Sequence, residues 1–201
     1  MKRLMDILLS ALALVLLSPL FLLVMTMIAL GSPGGAFFLQ ERIGRHGRPF
    51  RLIKFRTMRP ASDRQGLLSL GSADPRITPE GRFLRRYKLD ELPQLLNILA
   101  GHMSIVGPRP EVRKYVERYD DRQRRVLSVR PGLTDFASLE YFDEGELLAR
   151  SEDPERTYVE ELMPRKLELA LRYVDEQSLA TDLRLILNTL RRILGTRAIS
   201  T

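Results

Sequence analysis

The stretch ILLSALALVLLSPLFLLVMTMIAL, residues 7–30, decides the architecture of this chain because it is almost continuously apolar. No charged residue occurs between positions 7 and 40. As one straight helix its 24 residues would be about 36 Å long, enough to cross a hydrocarbon core of roughly 30 Å. A cleaved signal peptide is disfavoured, because the run is too long and no A-x-A-like site follows it. The stretch therefore predicts a membrane segment.

A break in the middle of this segment, at Ser18 and Pro19, leaves its path open. Proline removes a backbone hydrogen bond and kinks a helix, and the Ser18 hydroxyl can bond the carbonyl that Pro19 leaves free. Both flanks are basic, with Lys2 and Arg3 before the segment and, after it, Arg42, Arg45, Arg48, Arg51, Lys54, Arg56 and Arg59. Because basic flanks favour the cytoplasmic side, a re-entrant helix hairpin in residues 1–35 competes with a kinked spanning helix. We expect residues 36–201 to form a cytoplasmic domain at the membrane surface.

The composition of the chain limits the kinds of partner and of catalytic group that it can use. The chain has 201 residues, the length of one domain or a domain with an appendage, and a net charge of +7. This charge favours an anionic partner: nucleic acid, a lipid surface or a phosphorylated substrate. The absence of cysteine excludes thiolate nucleophiles and cysteine zinc sites, and the isolated His46 and His102 disfavour a histidine metal cluster. Any catalysis must then use carboxylates, hydroxyls, Lys, Arg or an oxygen-bound metal.

Periodicity and turn signals beyond the apolar segment predict a mostly helical α/β domain with a small β-hairpin. Strands are expected at residues 37–43 and 50–57, around the turn 44–47. Helices are expected at residues 79–87 with Thr78 as N-cap, at 91–99 before Gly101, at 143–149 and at 155–174.

Two sets of apolar residues at helical spacing predict further helices. Pro110 can open a helix with Val112, Tyr115, Val116 and Tyr119 on one face, most simply as core packing. A second helical stripe comprises Leu179, Leu183, Ile186, Leu187, Leu190, Ile193 and Leu194. The helix with this second stripe either packs in the core, which is the simpler interpretation, or lies in the lipid headgroup region.

The sequence RYKLDELPQLLNIL, residues 86–99, sets Asp90 beside Glu91 just ahead of Pro93. Acidic residues in a first helical turn commonly cap amides and favour the helix dipole, which is the structural interpretation of the pair. Neighbours on a regular helix also point about 100 degrees apart. A functional site is the alternative, and both carboxylates can face one target if the chain bends near Pro93.

Basic residues around the pair favour the functional interpretation. Four of them precede it directly: Arg82, Arg85, Arg86 and Lys88. Arg109 stands between two prolines in GPRP, and a guanidinium in a rigid turn suits two-point binding of phosphate, although it can also pair with an acid of the protein itself. We expect Arg109 and Arg85 to bind phosphate. Lys54 and Arg56 are further candidates, on a strand that could instead meet lipid headgroups.

The run DPRITPEGRFLRRYKLDELPQLLNILAGHMSIVGPRP, residues 74–110, with LIKFRTM before it and RPGLT after it, resembles the small monotopic phosphoglycosyl transferases, which are bacterial sugar transferases. The resemblance covers most of residues 1–134 and is weaker beyond. It implies an enzyme of the bacterial inner membrane with its catalytic domain on the cytoplasmic face. Such an enzyme moves a phospho-sugar from a UDP-sugar to polyprenol phosphate, which we expect to be undecaprenyl phosphate, and releases UMP.

The resemblance also implies roles for particular residues. The family's Asp-Glu pair maps onto Asp90 and Glu91, and its Ser-Pro helix break onto Ser18 and Pro19. Asp90 is then the expected nucleophile, which forms a covalent aspartyl phospho-sugar. Mg²⁺ is the expected cofactor, with Asp90 and Glu91 as its ligands, although Glu91 could instead handle a proton at the acceptor.

Two residues depart from the family pattern. His102 replaces the usual Asp of G-D-M-S, which argues against an obligatory metal ligand at that position. Asp135 replaces the usual Gly after the RPGLT turn, which leaves open how this turn contributes to sugar selection.

Two other functions compete with this interpretation. A membrane-tethered module that binds nucleic acid or anionic lipid would fit the net charge, but it leaves DELPQ and GPRP unexplained, and no nucleic-acid fold signature appears. We therefore expect no nucleic-acid partner. A transferase of the sugar alone would need a larger nucleotide-binding domain. The sequence leaves open the sugar, the polyprenol length and the oligomeric state.

Overall fold

The computed structural model describes residues 1–31, 34–62 and 66–195. It begins with two helices, α1 (Lys2–Leu16) and α2 (Ser18–Gly31), which are bent by 63° at the break between them. Ser18 Oγ donates a hydrogen bond to Val15 O at 2.8 Å. Val15 lies four residues before Pro19, so its carbonyl is the one that the proline leaves without a helical partner. The predicted break and its hydroxyl bond are confirmed, while positions 32 and 33 of the segment predicted over residues 1–35 lie outside the described residues.

Apolar surface dominates this helix pair. No single helix within residues 1–31, 34–62 and 66–195 is long and apolar enough to cross a bilayer, whereas α1 and α2 together meet that requirement of length and composition. Many of their large apolar side chains are exposed: Leu4, Leu8, Leu12, Val15, Leu16, Leu22, Leu23 and Leu30. Exposed apolar surface of this extent marks an interaction site rather than an ordinary protein surface.

The predicted β-hairpin comes after α2. Strands β1 (Phe37–Ile43) and β2 (Pro49–Phe55) pair antiparallel, and β2 ends two residues earlier than predicted. The turn between them passes through His46 (φ 58°) and Gly47 (φ 72°), which are both left-handed. Phe55 is 1% exposed and packs against α2 in a cluster with Val24 and Ile28. The hairpin therefore provides the surface on which α2 rests.

Two helices come next, close to their predicted positions. Helix α3 (Pro79–Arg86) begins where expected, because Thr78 Oγ1 accepts a hydrogen bond from an amide of the first turn at 3.0 Å. Helix α4 (Gln94–Leu99) begins three residues later than predicted, since a 3₁₀ turn, Leu89–Glu91, precedes it. The predicted glycine, Gly101, lies just after α4 with φ 86°.

A small parallel sheet replaces the loop and the turn predicted around SIVGPRP and RPGLT. Strands β3 (Ser104–Val106) and β4 (Gly132–Thr134) pair side by side. Three-residue strands are too short to show an alternating pattern in the sequence. A Cβ on Gly132 would collide with the backbone nitrogen of Gly107, so this close approach of two backbones requires glycine.

Within the described residues, five further helices precede the last one: α5 (Arg113–Val116), α6 (Phe136–Glu140), α7 (Glu144–Ala149), α8 (Pro154–Thr157) and α9 (Met163–Glu176). Short 3₁₀ turns are formed by Arg45–Gly47 in the hairpin and by Gln123–Ser128 after α5. A π-helical turn joins α8 to α9, so the predicted long helix is confirmed. Helix α5 starts at Arg113, and the prediction that Pro110 opens it is wrong. The predicted core packing of this face is confirmed, because Val112, Tyr115, Val116 and Tyr119 are all buried.

Helix α10 (Leu179–Gly195) carries the second predicted stripe, and the core interpretation of that stripe is wrong. Leu183, Leu187, Leu190 and Leu194 are 50%, 53%, 50% and 64% exposed. The core contact is made instead by Leu185, which is 1% exposed and packs with Val106 and Tyr173.

Polar contacts fix the start of α1 to the domain. Lys2 Nζ bonds Tyr173 Oη at 3.0 Å and Asp182 Oδ2, in α10, at 2.6 Å. Arg3 donates to two carbonyls at the end of α4, at 2.7 and 3.1 Å. The buried Asp6 accepts hydrogen bonds from the first two residues of β3. The division of the chain at residue 35 stays a prediction, and α1 is packed firmly against the domain beyond that boundary.

Candidate active site

The 3₁₀ turn Leu89–Glu91 places the two adjacent carboxylates. Lys88, immediately before it, adopts a left-handed conformation with φ 54° and ψ 20°. Lys88 Nζ lies 3.4 Å from Phe142 O and 4.6 Å from the centre of the Phe142 ring, and both contacts help to hold this conformation. The chain bends here rather than continuing as a regular helix, so Asp90 and Glu91 both face one cavity.

All six residues predicted for catalysis or phosphate binding line this cavity, which has a volume of about 1310 Å³: Lys54, Arg56, Arg85, Asp90, Glu91 and Arg109. They come from β2 and the residue after it, from α3, from the 3₁₀ turn and from the loop after β3, and the fold brings them together. Ser18 and Pro19 are not among the lining residues and lie at the bend between α1 and α2.

Glu91 is held by two cations. Arg109 donates to both of its carboxylate oxygens, through Nη1 to Oε2 at 3.2 Å and through Nη2 to Oε1. Lys54 Nζ lies 3.4 Å from Oε1. Burial by itself raises the pKa of Glu91, but Arg109 and Lys54 outweigh burial and hold that pKa well below its usual range. Glu91 is therefore an anion, and its charge raises the pKa of Arg109 in return. This pairing is the structural alternative that the sequence left open for Arg109.

Asp90 is in a different environment from its neighbour. It is 6% exposed, and its Oδ1 is buried without a hydrogen-bond partner among the described residues. Burial, and next the negative charge of Glu91, raise the pKa of Asp90, while Lys54, Arg85 and Lys88 oppose this rise. A buried carboxylate oxygen that no protein group satisfies is uncommon, and a bound ligand or metal ion would account for it.

The remaining predicted basic residues divide into two kinds. Arg85 is anchored by Thr57 Oγ1 at 2.8 Å and by Ser69 Oγ at 2.6 Å, and burial lowers its pKa against the pull of Asp90. It is thus a fixed cation in the cavity wall. Arg56 donates to Phe37 O at 3.1 Å and ties the end of β2 to the start of β1. The contacts of Arg56 are structural, although it also lines the cavity.

Two residues that the sequence did not place at the site hold the Arg109 loop. Asp135 Oδ2 accepts from Arg109 N at 3.3 Å, while its Oδ1 accepts from Ser138 N at 2.7 Å and caps α6. Arg42 donates to Pro110 O at 3.0 Å, on the other side of Arg109. The departure of position 135 from the family pattern was the available signal for Asp135, and Arg42 had none beyond its charge.

His102 lies away from the cavity lining. Its ring stacks on Phe50 with 5.8 Å between the ring centres. Within the described part of the chain, no group of three His, Cys, Asp or Glu side chains could hold a metal ion. Any cation at the site would therefore depend on Asp90 and Glu91 together with oxygen atoms from a ligand.

Asp90 is buried and Glu91 half-buried, and lysine and arginine side chains line the cavity around them. Carboxylates among such cations are typical of the class of proteins that bind phosphorylated ligands. A family model described as bacterial sugar transferase matches residues 1–196. The chain belongs to the bacterial sugar transferase family.

Three relatives illustrate the likeness. The exopolysaccharide production protein ExoY of Sinorhizobium fredii is 46% identical over 148 residues, which is 66% of this chain and 66% of that protein. The UDP-glucose:undecaprenyl-phosphate glucose-1-phosphate transferase of Xanthomonas campestris is 39% identical over 199 residues, 96% of this chain and 39% of the relative. The UDP-N-acetylgalactosamine-undecaprenyl-phosphate N-acetylgalactosaminephosphotransferase of Aeromonas hydrophila is 36% identical over 198 residues, 96% of this chain and 43% of the relative. The chain thus spans only part of the length of each of these relatives.

Proposed function

We propose that this chain transfers a sugar 1-phosphate from a UDP-sugar to polyprenol phosphate, giving a polyprenyl diphosphate sugar and UMP. The observation that carries the proposal is Asp90, a buried carboxylate with an unpartnered oxygen in a cavity lined by Lys54, Arg85 and Arg109. Family membership and the activities named for the relatives in Xanthomonas and Aeromonas support the donor and acceptor classes. The product would be the first membrane-bound intermediate of glycoconjugate or exopolysaccharide assembly.

Asp90 acts as the nucleophile in this proposal. A carboxylate oxygen of Asp90 forms a bond to the phosphorus that carries the sugar, and the bond from that phosphorus to the bridging oxygen breaks, so UMP leaves with the bridging oxygen. An oxygen of the acceptor phosphate then attacks the same phosphorus and expels the Asp90 carboxylate. The two displacements form one diphosphate bond and regenerate the enzyme.

The neighbouring residues supply positioning and charge. Arg109 is oriented by Glu91, which accepts from both of its Nη atoms, and it lines the cavity, where its remaining N–H groups would contact a phosphate. Arg85 and Lys54 add positive charge near Asp90. Phosphoryl transfer depends mainly on such positioning and electrostatic stabilisation. Glu91 therefore acts chiefly by holding Arg109 and Lys54 in place.

Mg²⁺ is the cofactor we propose. Mg²⁺ usually binds proteins through one or two carboxylates and completes its shell with water and substrate phosphates. Asp90 and Glu91 are two adjacent carboxylates, and Asp90 Oδ1 has no hydrogen-bond partner among the described residues. Both oxygens of Glu91 bond Arg109 in this structure, so Glu91 would ligate the ion through the remaining lone pairs of these oxygens. When bound, the ion would offset the negative charge of the donor diphosphate.

A re-entrant placement of α1 and α2 in the cytoplasmic leaflet of the bacterial inner membrane completes the proposal, and membrane lipids are then partners of the chain. Lys2, at the start of α1, is bonded to Asp182 in α10. Gly31, at the end of α2, lies so close to α3 that a Cβ there would be 2.8 Å from Glu80 Oε1. Both ends of the pair thus contact the same domain. This supports a hairpin, because a spanning segment sets its ends on opposite faces of a core about 30 Å thick.

The decisive experiment follows the nucleotide released from a panel of UDP-sugars with undecaprenyl phosphate in detergent. We expect UMP, whereas UDP would indicate transfer of the sugar alone. UDP-sugar without lipid should give a stoichiometric burst of UMP and a phospho-sugar adduct that mass spectrometry places on Asp90. Release of UMP only in the presence of lipid, with no adduct at any time, would overturn the covalent route and leave Asp90 as a metal ligand or a base.

A further inference from the structure

Three adjacent strips run along α10. The strip that faces the core holds Asp182 and Leu185, each 1% exposed. The open strip holds four leucines with half or more of their surface exposed: Leu183, Leu187, Leu190 and Leu194. Between these two lies a strip that lines the active-site cavity: Ile186, Thr189, Leu190 and Ile193. Leu190 belongs to both the open strip and the cavity strip, so the apolar surface of the helix continues from the outside of the molecule into the cavity.

The cavity joins two unlike surfaces. Lys54, Arg85 and Arg109 stand near the carboxylates, whereas α10 and Leu139 contribute apolar wall. The volume of about 1310 Å³ exceeds the roughly 300 to 1,000 Å³ of a pocket for one small ligand. A soluble nucleotide sugar would leave the apolar wall against water, which is unfavourable. A molecule with one anionic group and a long hydrocarbon chain matches both surfaces.

The apolar wall has a fixed place relative to the basic residues. Thr189 Oγ1 and Thr134 Oγ1 lie 2.6 Å apart, which joins α10 to the end of β4. Strand β4 pairs with β3, and the Arg109 loop comes directly after β3. A second tie is made by Asp182, which binds Lys2 of α1. The wall is therefore held by the same small sheet that positions Arg109.

We propose that the cavity strip of α10 binds the polyprenyl chain of the acceptor. The chain enters the cavity past Leu190 and lies against Ile186, while its phosphate reaches the basic end near Arg109. This inference takes the polyprenol phosphate acceptor from the proposed function. What it adds is the surface of the protein that binds the hydrocarbon chain of that acceptor. Two adjacent apolar strips of α10 then have different partners: the open strip contacts the membrane, and the cavity strip contacts the substrate.

A matched pair of substitutions distinguishes contact with the membrane from contact with the acceptor chain. Leu190 and Leu187 are 50% and 53% exposed on the same helix, and of the two only Leu190 lines the cavity. Leu190→Ser should raise the KM for undecaprenyl phosphate roughly tenfold, because apolar contact with the chain is lost, and it should leave the KM for the UDP-sugar unchanged. Leu187→Ser should leave both KM values unchanged. Both variants should bind vesicles of phosphatidylglycerol and phosphatidylethanolamine equally in flotation. An equal effect of the two variants on the acceptor KM, or none in Leu190→Ser, would overturn the proposal.

Photo-crosslinking tests binding without turnover. A polyprenyl phosphate with a diazirine in its first isoprene units should label the tryptic peptide of residues 185–191 in the wild-type chain. Excess undecaprenyl phosphate should compete with this label, and excess phosphatidylglycerol should not. Competition by both lipids would indicate ordinary membrane contact and refute the acceptor site. Label on this peptide without any UMP release would refute the proposed function alone, while UMP release with label only elsewhere would refute the α10 site alone.

Discussion

Arg109 donates hydrogen bonds to both carboxylate oxygens of Glu91, although 18 positions separate the two residues in the chain. Asp90, the immediate neighbour of Glu91, keeps a buried oxygen without a partner among the described residues. The two carboxylates of DELPQ are thus held unequally. Glu91 is committed to organising cations, and Asp90 is left available for chemistry.

This inequality predicts different effects of two isosteric substitutions. Asp90→Asn should abolish both the phospho-sugar adduct and turnover, because an amide does not form the acyl phosphate. Glu91→Gln should retain a detectable adduct with a much slower burst, since Arg109 loses its charged partner but Asp90 remains. Rapid-quench measurement of UMP, with mass spectrometry of the protein, distinguishes the two. A normal burst in Asp90→Asn would contradict the assignment of the nucleophile.

Arg109→Lys should impair turnover substantially while leaving the fold intact. Lysine presents one point charge in place of two parallel donors, so the oriented contact with phosphate is lost. The loss should be on the order of 100-fold in kcat/KM, as for the removal of one preorganised donor. Arg113→Lys is the control, because Arg113 is exposed and its ion pair with Glu41 is loose, at 3.8 Å. Near-normal turnover in Arg109→Lys would show that this arginine is only structural.

Asp135 should act as a positioning residue for Arg109. Asp135→Asn keeps an oxygen for Ser138 N, so α6 stays capped, but removes the second oxygen that accepts from Arg109 N. We expect kcat to fall severalfold in this variant with little change in melting temperature. Asp135→Ala should lose the cap as well, at a cost of about 1 kcal/mol in the free energy of unfolding. Equal kcat in Asp135→Asn and the wild type would show that the Arg109 contact is dispensable.

The hairpin topology predicts that both ends of the helix pair are reached from one side. The chain has no cysteine, so a single cysteine inserted between Met1 and Lys2, or put in place of the exposed Arg59, is an unambiguous probe outside the apolar segment. A thiol reagent that does not cross membranes should label both from the cytoplasmic side in inverted vesicles and neither from the periplasmic side. Labelling of one position from each side would establish a spanning helix. Pro19→Ala should shift the population toward the spanning form, because it restores the helical hydrogen bond.

Acid should weaken the loop that borders the cavity through Asp74. Burial alone would raise its pKa, but hydrogen bonds from Arg76 and from the amides of Leu70 and Arg76 lower it from 3.8 to about 2. A lowered pKa means that the charged carboxylate stabilises the fold above about pH 4, and that this contribution is lost as the pH falls towards about 2. The difference in melting temperature between the wild type and Asp74→Asn should therefore be large at neutral pH and shrink over that interval. Circular dichroism in detergent measures these melting temperatures, and Asp121→Asn, at an exposed position, is the control.

Local signals in the sequence determined several features correctly. The Ser18 bond to the carbonyl freed by Pro19, the Thr78 cap and the antiparallel hairpin each depend on residues close together in the chain. The six candidate residues of the site were chosen from their types and motifs, and the fold gathers them around one cavity, while their roles stay predictions. Such features need only backbone sterics, short-range hydrogen bonds and side-chain chemistry.

Only the tertiary structure decided how these parts work together. The left-handed Lys88, held against Phe142, turns both carboxylates into one cavity, which the spacing of a regular helix could not predict. The three-residue strands β3 and β4 carry no pattern of their own and exist because two distant backbones meet at glycines. Helix α10 has the same apolar stripe whether that stripe faces a core, a membrane or a substrate. Which of these three the stripe faces depends on the segments that pack against each strip of the helix. Those segments are distant in the chain, so the local sequence does not determine which residues they bury.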